Sequence, residues 1–125
     1  MLQQASDAYR RAHRTTACAR ELEAAMLLAA AAHLQSATAQ GAQAAVSRAM
    51  SFNCKIWTIL VTSSLRAESA LPAPLRQSIA ELGLFVLDRT AGIIGTGGLL
   101  AASDAAILID INRRIAAGLR PTAEG

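Results

Sequence analysis

Apolar side chains recur at intervals of three and four residues along almost the whole of this 125-residue chain. That spacing places them on one face of an α-helix, whereas a half-buried strand alternates at every second residue, and no such alternation is found. No internal repeat, long linker or charge block divides the sequence. We therefore expect an all-α protein, a compact bundle of about five helices in one domain over residues 1–125, with a flexible tail from about residue 120.

Residues that begin or end helices set the predicted boundaries. Gly41 suits the end of one helix, and Gly95 ends another. Pro72 or Pro74 suits a first helical turn, where a missing N–H has no consequence, and Ser103 can cap the last helix. The predicted helices span residues 2–16, 19–40, 43–64, 72–95 and 103–119.

The same spacing predicts which face of each helix is packed. Alanine occurs 29 times and favours close helix approach, so the few bulky residues, Trp57 among them, must fill the core. For the second helix we expect Leu22, Met26, Ala29, Ala30 and His33 on the packed face. For the third we expect Val46, Ala49, Met50, Asn53, Ile56, Trp57, Leu60 and Val61. For the last we expect Ile107, Leu108, Ile111, Ile115 and Leu119.

The charge is mildly basic, +3 at pH 7, and Lys55 is the only lysine among the basic residues. Four arginines, Arg10, Arg11, Arg14 and Arg20, form the one basic cluster. This cluster is either the solvated face of an amphipathic helix or a patch that grips phosphates or an acidic partner. The remaining arginines are scattered among acids, which is not typical of a nucleic-acid-binding domain.

Nothing in the sequence points to catalysis, a cofactor or a metal. The only histidines, His13 and His33, have no second ligand or carboxylate at helical spacing. Cys18 and Cys54 lack metal spacing and a disulfide framework, so they are interpreted as cytosolic thiols. Glu23 and His33 interrupt the longest apolar run, which excludes a membrane span. We expect a non-enzymatic, cytoplasmic protein that binds a partner.

Five polar or aromatic residues are candidates for partner binding. Asn53 and Trp57 lie one turn apart, so they either line a groove for a client helix or serve as core and register residues. On the last helix we expect Asp110, Asn112 and Arg113 to lie off the packed stripe. These three either contact a client or hold the bundle together.

Several motifs make the chain resemble the FlaF family of flagellar regulators, from about Ala8 almost to the C-terminus. The landmarks are RELEAAMLL from Arg20, NCKIWT from Asn53, LPAPLR from Leu71, IAELGLFV from Ile79 and LIDINRRIAAGL from Leu108. Members often begin the second helix with Ser-Pro-Arg-Glu, but this chain has Cys-Ala-Arg-Glu from Cys18. Because cysteine is a poor N-cap, the first two helices are either continuous or frayed there.

The resemblance implies a cytoplasmic factor that promotes flagellin synthesis and secretion, similar to an export chaperone whose client is flagellin. It would act together with or opposite FlbT, a regulator that restrains translation of flagellin mRNA. Two alternatives stay open. One is an RNA-binding regulator of flagellin mRNA that uses the basic cluster, and the other is a non-catalytic helical adaptor for FlbT. The sequence does not indicate an oligomeric state.

Overall fold

The computed structural model describes residues 2–66, 71–95 and 102–120, which are helical apart from short connections. The helices are α1 (Leu2–Gln40), α2 (Gln43–Ser64), α3 (Ala73–Gly95) and α4 (Ala102–Leu119). The predicted all-α bundle is confirmed. The expected tail falls on residues 121–125, outside the described residues. None of the helices that the structure describes has the length and apolar character of a membrane span.

The first two predicted helices form one continuous helix, α1, of 39 residues. The cause is visible in the sequence, since neither glycine nor proline occurs before Gly41 and alanine surrounds Cys18. Gly41 ends α1 as predicted. It adopts a φ of 69°, which glycine accepts without strain, and its N–H donates to the carbonyl of Ala37 at 3.0 Å.

The helices pack in a ring in which α1 contacts α4 and α2, α2 contacts α3, and α3 contacts α4 only sparsely. Helices α2 and α4 therefore face each other diagonally across the core. On the sparse side, Arg89 of α3 lies 3.5 Å from the carboxylate of Asp104 on α4 and stacks over the Phe85 ring at 5.2 Å. Both partners of this ion pair are partly exposed, so α3 is held mainly by α2.

Only the second half of α1 contributes buried side chains among those described. Its buried positions run from Ala24 to Ala37. Every described side chain before Arg20 is exposed, namely those at positions 3–8, 10, 18 and 19. A 39-residue helix is roughly 58 Å long, more than twice the length of α4.

The packed face of α2 is predicted almost residue by residue, but those of α1 and α4 are corrected. In α1, Leu22 is 63% exposed and His33 is exposed, while Leu27 and Leu34 are buried. Because α1 is rich in alanine and packs on two neighbours, its sequence has no single apolar phase. In α4, Ile107 is 41% exposed. The buried residues of α4 are Ala105, Leu108, Asn112, Ile115, Ala116 and Leu119.

Candidate functional site

Three side chains that carry hydrogen-bonding groups meet at the centre of the bundle. Asn53, Trp57 and Asn112 are each 0% exposed. The amide nitrogen of Asn112 donates to Oδ1 of Asn53 at 2.7 Å and to the backbone carbonyl of Leu27 at 3.2 Å. Its Oδ1 accepts a hydrogen bond from the Trp57 indole nitrogen at 2.8 Å. Asn112 therefore ties α4 to α1 and to the diagonal helix α2.

This central network accounts for three of the predicted partner-binding residues. The expectation that Asn112 lies off the packed stripe is wrong, because its amide is buried among hydrogen-bonding groups that only the folded bundle brings together. Asn53 is also bonded there through its oxygen, although its Nδ2 has no hydrogen-bond partner in the part of the chain described. The folded bundle offers none of these side chains at its surface.

Asp110 and Arg113 differ from Asn112 because both are exposed. Asp110 forms an ion pair with Arg114, one turn further along α4, with 2.9 Å between Oδ2 of Asp110 and Nε of Arg114. Arg113 reaches across to Gln35 of α1, where its guanidinium donates to the side-chain oxygen at 3.2 Å. Both side chains are accessible to a partner because they are exposed. Exposed pairs of this kind contribute little to stability, so a partner could replace them at low cost. Their role in binding stays a prediction.

The structure describes only part of the predicted basic patch. The side chain of Arg10 is exposed, and that of Arg20 is half-buried. The positive charge of Arg20 acts on the nearby carboxylate of Glu23. The side chains of Arg11 and Arg14 lie outside the described residues, and the basic patch stays a prediction.

An elongated groove of about 900 Å³ opens between α2 and the C-terminal end of α3. Its wall on α2 runs from Gln43 to Ile59, roughly 24 Å of helix. Ile59 is 52% exposed and Ile94, on α3, is 63% exposed. Among the described lining residues Lys55 is the only charged one. The other lining residues are Val46, Ser47, Met50, Ser51, Cys54, Thr58, Thr90 and Ile93.

Sequence reasoning missed this groove, although a signal was present. The apolar stripe of α2 accounts for its core face, and Ile59 falls outside that stripe. Helix α3 is apolar on more than one face, since Ile93 is buried while its neighbour Ile94 is exposed. A helix with a second, exposed apolar face often binds another protein or a ligand through that face. A groove, however, needs two helices at a defined distance, which spacing along one chain does not reveal.

A smaller cleft, of about 380 Å³, lies between α1 and α2. His33 lines it and stacks on the ring of Phe52 with the centroids 5.1 Å apart. Within the described residues no group of three or more His, Cys, Asp or Glu side chains is placed to hold a metal ion. Neither cysteine forms a disulfide; Cys18 is exposed and Cys54 is half-buried beside the larger groove.

Glu23, a half-buried carboxyl on α1, makes stability depend on pH. Burial raises its pKa above the ordinary 4.5, and the charge of Arg20 opposes the rise. Because the folded state favours the protonated form, this contribution to stability is complete below about 4.5 and is lost as the pH rises through the raised pKa.

We therefore expect Glu23→Gln to increase the free energy of unfolding at pH 7, with the difference from the parent shrinking towards pH 4. Urea denaturation at both pH values measures it. Glu21→Gln, at an exposed neighbouring position, is the control and should change stability less. A Glu23→Gln variant less stable than the parent at pH 7 would show that the interaction with Arg20 outweighs the burial.

Comparison with known proteins places the chain in a family. The profile described as flagellar protein FlaF matches residues 5–119, which include the central network and the described lining of the groove. No curated protein matches the chain, and no solved structure matches it. A match over so much of the sequence identifies the fold unit as a whole rather than one motif. The chain belongs to the FlaF family of flagellar proteins.

Proposed function

We propose that this protein is a non-catalytic cytoplasmic factor of flagellum biogenesis that promotes flagellin synthesis and secretion by binding flagellin as an export chaperone. The observation that carries the proposal is the open apolar groove between α2 and α3 in a chain of a flagellar family. Exposed apolar surface of this kind on a small helical domain is typical of a binding site.

The groove suits an amphipathic segment of an unassembled client. Such a segment keeps its apolar stripe exposed until it packs against its own subunits, and it aggregates if nothing covers it. A helix laid between α2 and α3 would bury that stripe against side chains such as Ile59 and Ile94. Release at the export apparatus would then couple secretion of flagellin to its synthesis.

Two further partners fit the exposed parts of the chain. A FlbT-type regulator could bind the outer side of α4, where Asp110 and Arg113 are accessible. Flagellin mRNA would need the basic patch, of which Arg10 is exposed. The groove does not suit RNA, because it is apolar and Lys55 is its only described charge. We therefore favour flagellin over flagellin mRNA as the partner.

Titration of the purified protein with flagellin from the same bacterium, by calorimetry and size-exclusion chromatography, tests the proposal. We expect a stable complex with a dissociation constant on the order of 1 μM or tighter. The absence of any complex would contradict the chaperone function.

A gel-shift titration with flagellin mRNA at low and high salt provides the comparison. We expect no retention, or retention that is lost with salt. Salt-dependent RNA binding that needs Arg10, without flagellin binding, would favour the RNA-binding alternative.

A further inference from the structure

We infer that the groove between α2 and α3 receives a single amphipathic helix of about four turns whose apolar stripe is flanked by acidic side chains. The identity of the client as flagellin rests on the function proposed above. The class of ligand rests on the groove itself, so the two can be tested separately.

The length of the groove sets the length of the ligand. The lining residues of α2 extend from Gln43 to Ile59. At 1.5 Å per residue this is roughly 24 Å, which a helix of about 16 residues matches. Among the described residues, the opposite wall consists of Thr90, Ile93 and Ile94 near the end of α3. A ligand helix lying along α2 would contact the end of α3 with one part of its apolar stripe.

The groove is more apolar than its residue names suggest. The hydroxyl of Thr58 donates to the carbonyl of Cys54 at 2.8 Å, and that of Thr90 donates to the carbonyl of Val86 at 2.7 Å. Both threonine protons are therefore used within their own helices. Exposed Ile59 and Ile94 add apolar surface. Such a wall selects a ligand with apolar residues at helical spacing rather than one that binds through hydrogen bonds.

The charge of the groove determines which side chains should flank the apolar stripe of the ligand helix. Lys55 is exposed, and no acidic side chain is among the described lining residues. A ligand with a carboxylate opposite Lys55 would form an ion pair, whereas a basic ligand would be repelled. The basic start of α1, with Arg10, Arg11 and Arg14, is therefore a poor occupant of the groove in a second copy of this chain.

Cys54 supplies a reporter inside the groove. A Cys18→Ser variant leaves Cys54 as the only cysteine, and a bound helix should slow its reaction with a thiol reagent. The probes are two designed 18-residue helical peptides with the same leucine stripe, flanked by glutamates in one and by lysines in the other. We expect the glutamate peptide to protect Cys54 and to bind about threefold or more tightly than the lysine peptide at low salt.

Substitutions assign the effect to the groove. Lys55→Glu should reverse the preference between the peptides, while Arg48→Glu, on an exposed position of α2 outside the groove lining, should leave it unchanged. Ile94→Asp should lower the affinity for the glutamate peptide at least about tenfold. Its matched control is Leu84→Asp, on the same helix and 69% exposed, which should bind as the parent does. Circular dichroism confirms that each variant is folded.

The outcomes separate this inference from the proposed function. If neither peptide protects Cys54, or both protect it equally, the inference is wrong. If the Ile94→Asp variant binds flagellin as tightly as the parent does, the groove is not the binding site for flagellin. That result contradicts this inference, while the chaperone function stands. If the glutamate peptide protects Cys54 and flagellin does not bind, the groove has the inferred ligand class and the client is not flagellin.

Discussion

Replacing Asn112 with leucine should lower the free energy of unfolding by about 3–5 kcal/mol, a large share of the 5–15 kcal/mol typical of a domain. The substitution removes the acceptor for the Trp57 indole N–H and the donor for Oδ1 of Asn53. Both groups are fully buried, so no water replaces the lost partner. Leucine has the branched shape of asparagine with bulkier methyl groups, so it leaves no cavity and the loss reports the broken hydrogen bonds together with some overpacking.

Urea denaturation followed by fluorescence measures this effect, since Trp57 is the only tryptophan and lies within the network. The control is Arg113→Leu, at the next and exposed position of α4, which should change stability by less than about 0.5 kcal/mol. An Asn112→Leu variant within 1 kcal/mol of the parent, roughly the net worth of one hydrogen bond, would contradict a structural role for the network.

The network is asymmetric, and this gives the experiment a second readout. Asn112 bonds to three partners, on α1 and α2. Asn53 accepts one of these bonds, and its own buried Nδ2 has no hydrogen-bond partner among the described residues. Asn53→Leu should therefore be less destabilising than Asn112→Leu. The double variant should lose less than the sum of the two, because both substitutions remove the same bond.

The difference between α2 and α1 shows how much of the fold the sequence predicts. The boundaries of α2, Gln43–Ser64, are as predicted, and its buried face departs from the prediction only at half-buried Val61 and buried Ser64. Most bulky side chains of α2, such as Ile56 and Trp57, share one helical phase, although Ile59 lies outside it. In α1, alanine occupies every face, so Leu22 and Leu27 are equally good candidates for burial from the sequence. Which of them is buried depends on the positions of α2 and α4.

The central network was not predictable because its members are far apart in the chain. Trp57 and Asn112 are separated by 55 positions. A polar residue on a helix normally lies on the solvent face, so the spacing predicts Asn112 off the packed stripe. For Asn53 the spacing predicts a position within an apolar stripe, where it is the one polar residue. A buried amide of that kind needs a partner, but one helix cannot show where the partner lies.

Four of the five segments that carry the family resemblance contribute residues to this centre. RELEAAMLL contains Leu27, whose carbonyl accepts from Asn112. NCKIWT contains Asn53 and Trp57, and LIDINRRIAAGL contains Asn112 itself. IAELGLFV contains Gly83, which faces Trp57 from α3. These four motifs therefore contribute to the interior of the bundle. NCKIWT also supplies Cys54, Lys55 and Thr58 to the groove, whereas Ile59 and Ile94 lie outside the motifs.

The close approach of Gly83 on α3 to α2 predicts a second large effect on stability, that of Gly83→Ala. A Cβ at Gly83 would overlap Cγ2 of Val61 and would lie 3.5 Å from Cε3 of Trp57. Valine is stiff at χ1, so it cannot easily turn away. Alanine in a helix normally gains about 1 kcal/mol over glycine, but the overlap should reverse this. We expect Gly83→Ala to lower the free energy of unfolding by about 1–3 kcal/mol.

Gly92→Ala is the matched control on the same helix, because in the described part of the chain a Cβ there meets no neighbouring side chain or other helix within 4 Å. It should raise the free energy of unfolding by up to about 1 kcal/mol through helix propensity alone. Denaturant titration of the two variants then gives shifts of opposite sign. Because α3 is held mainly by α2, Gly83→Ala should also loosen α3 and speed hydrogen exchange along it. A Gly83→Ala variant as stable as Gly92→Ala would mean that α2 and α3 do not approach each other closely at Val61.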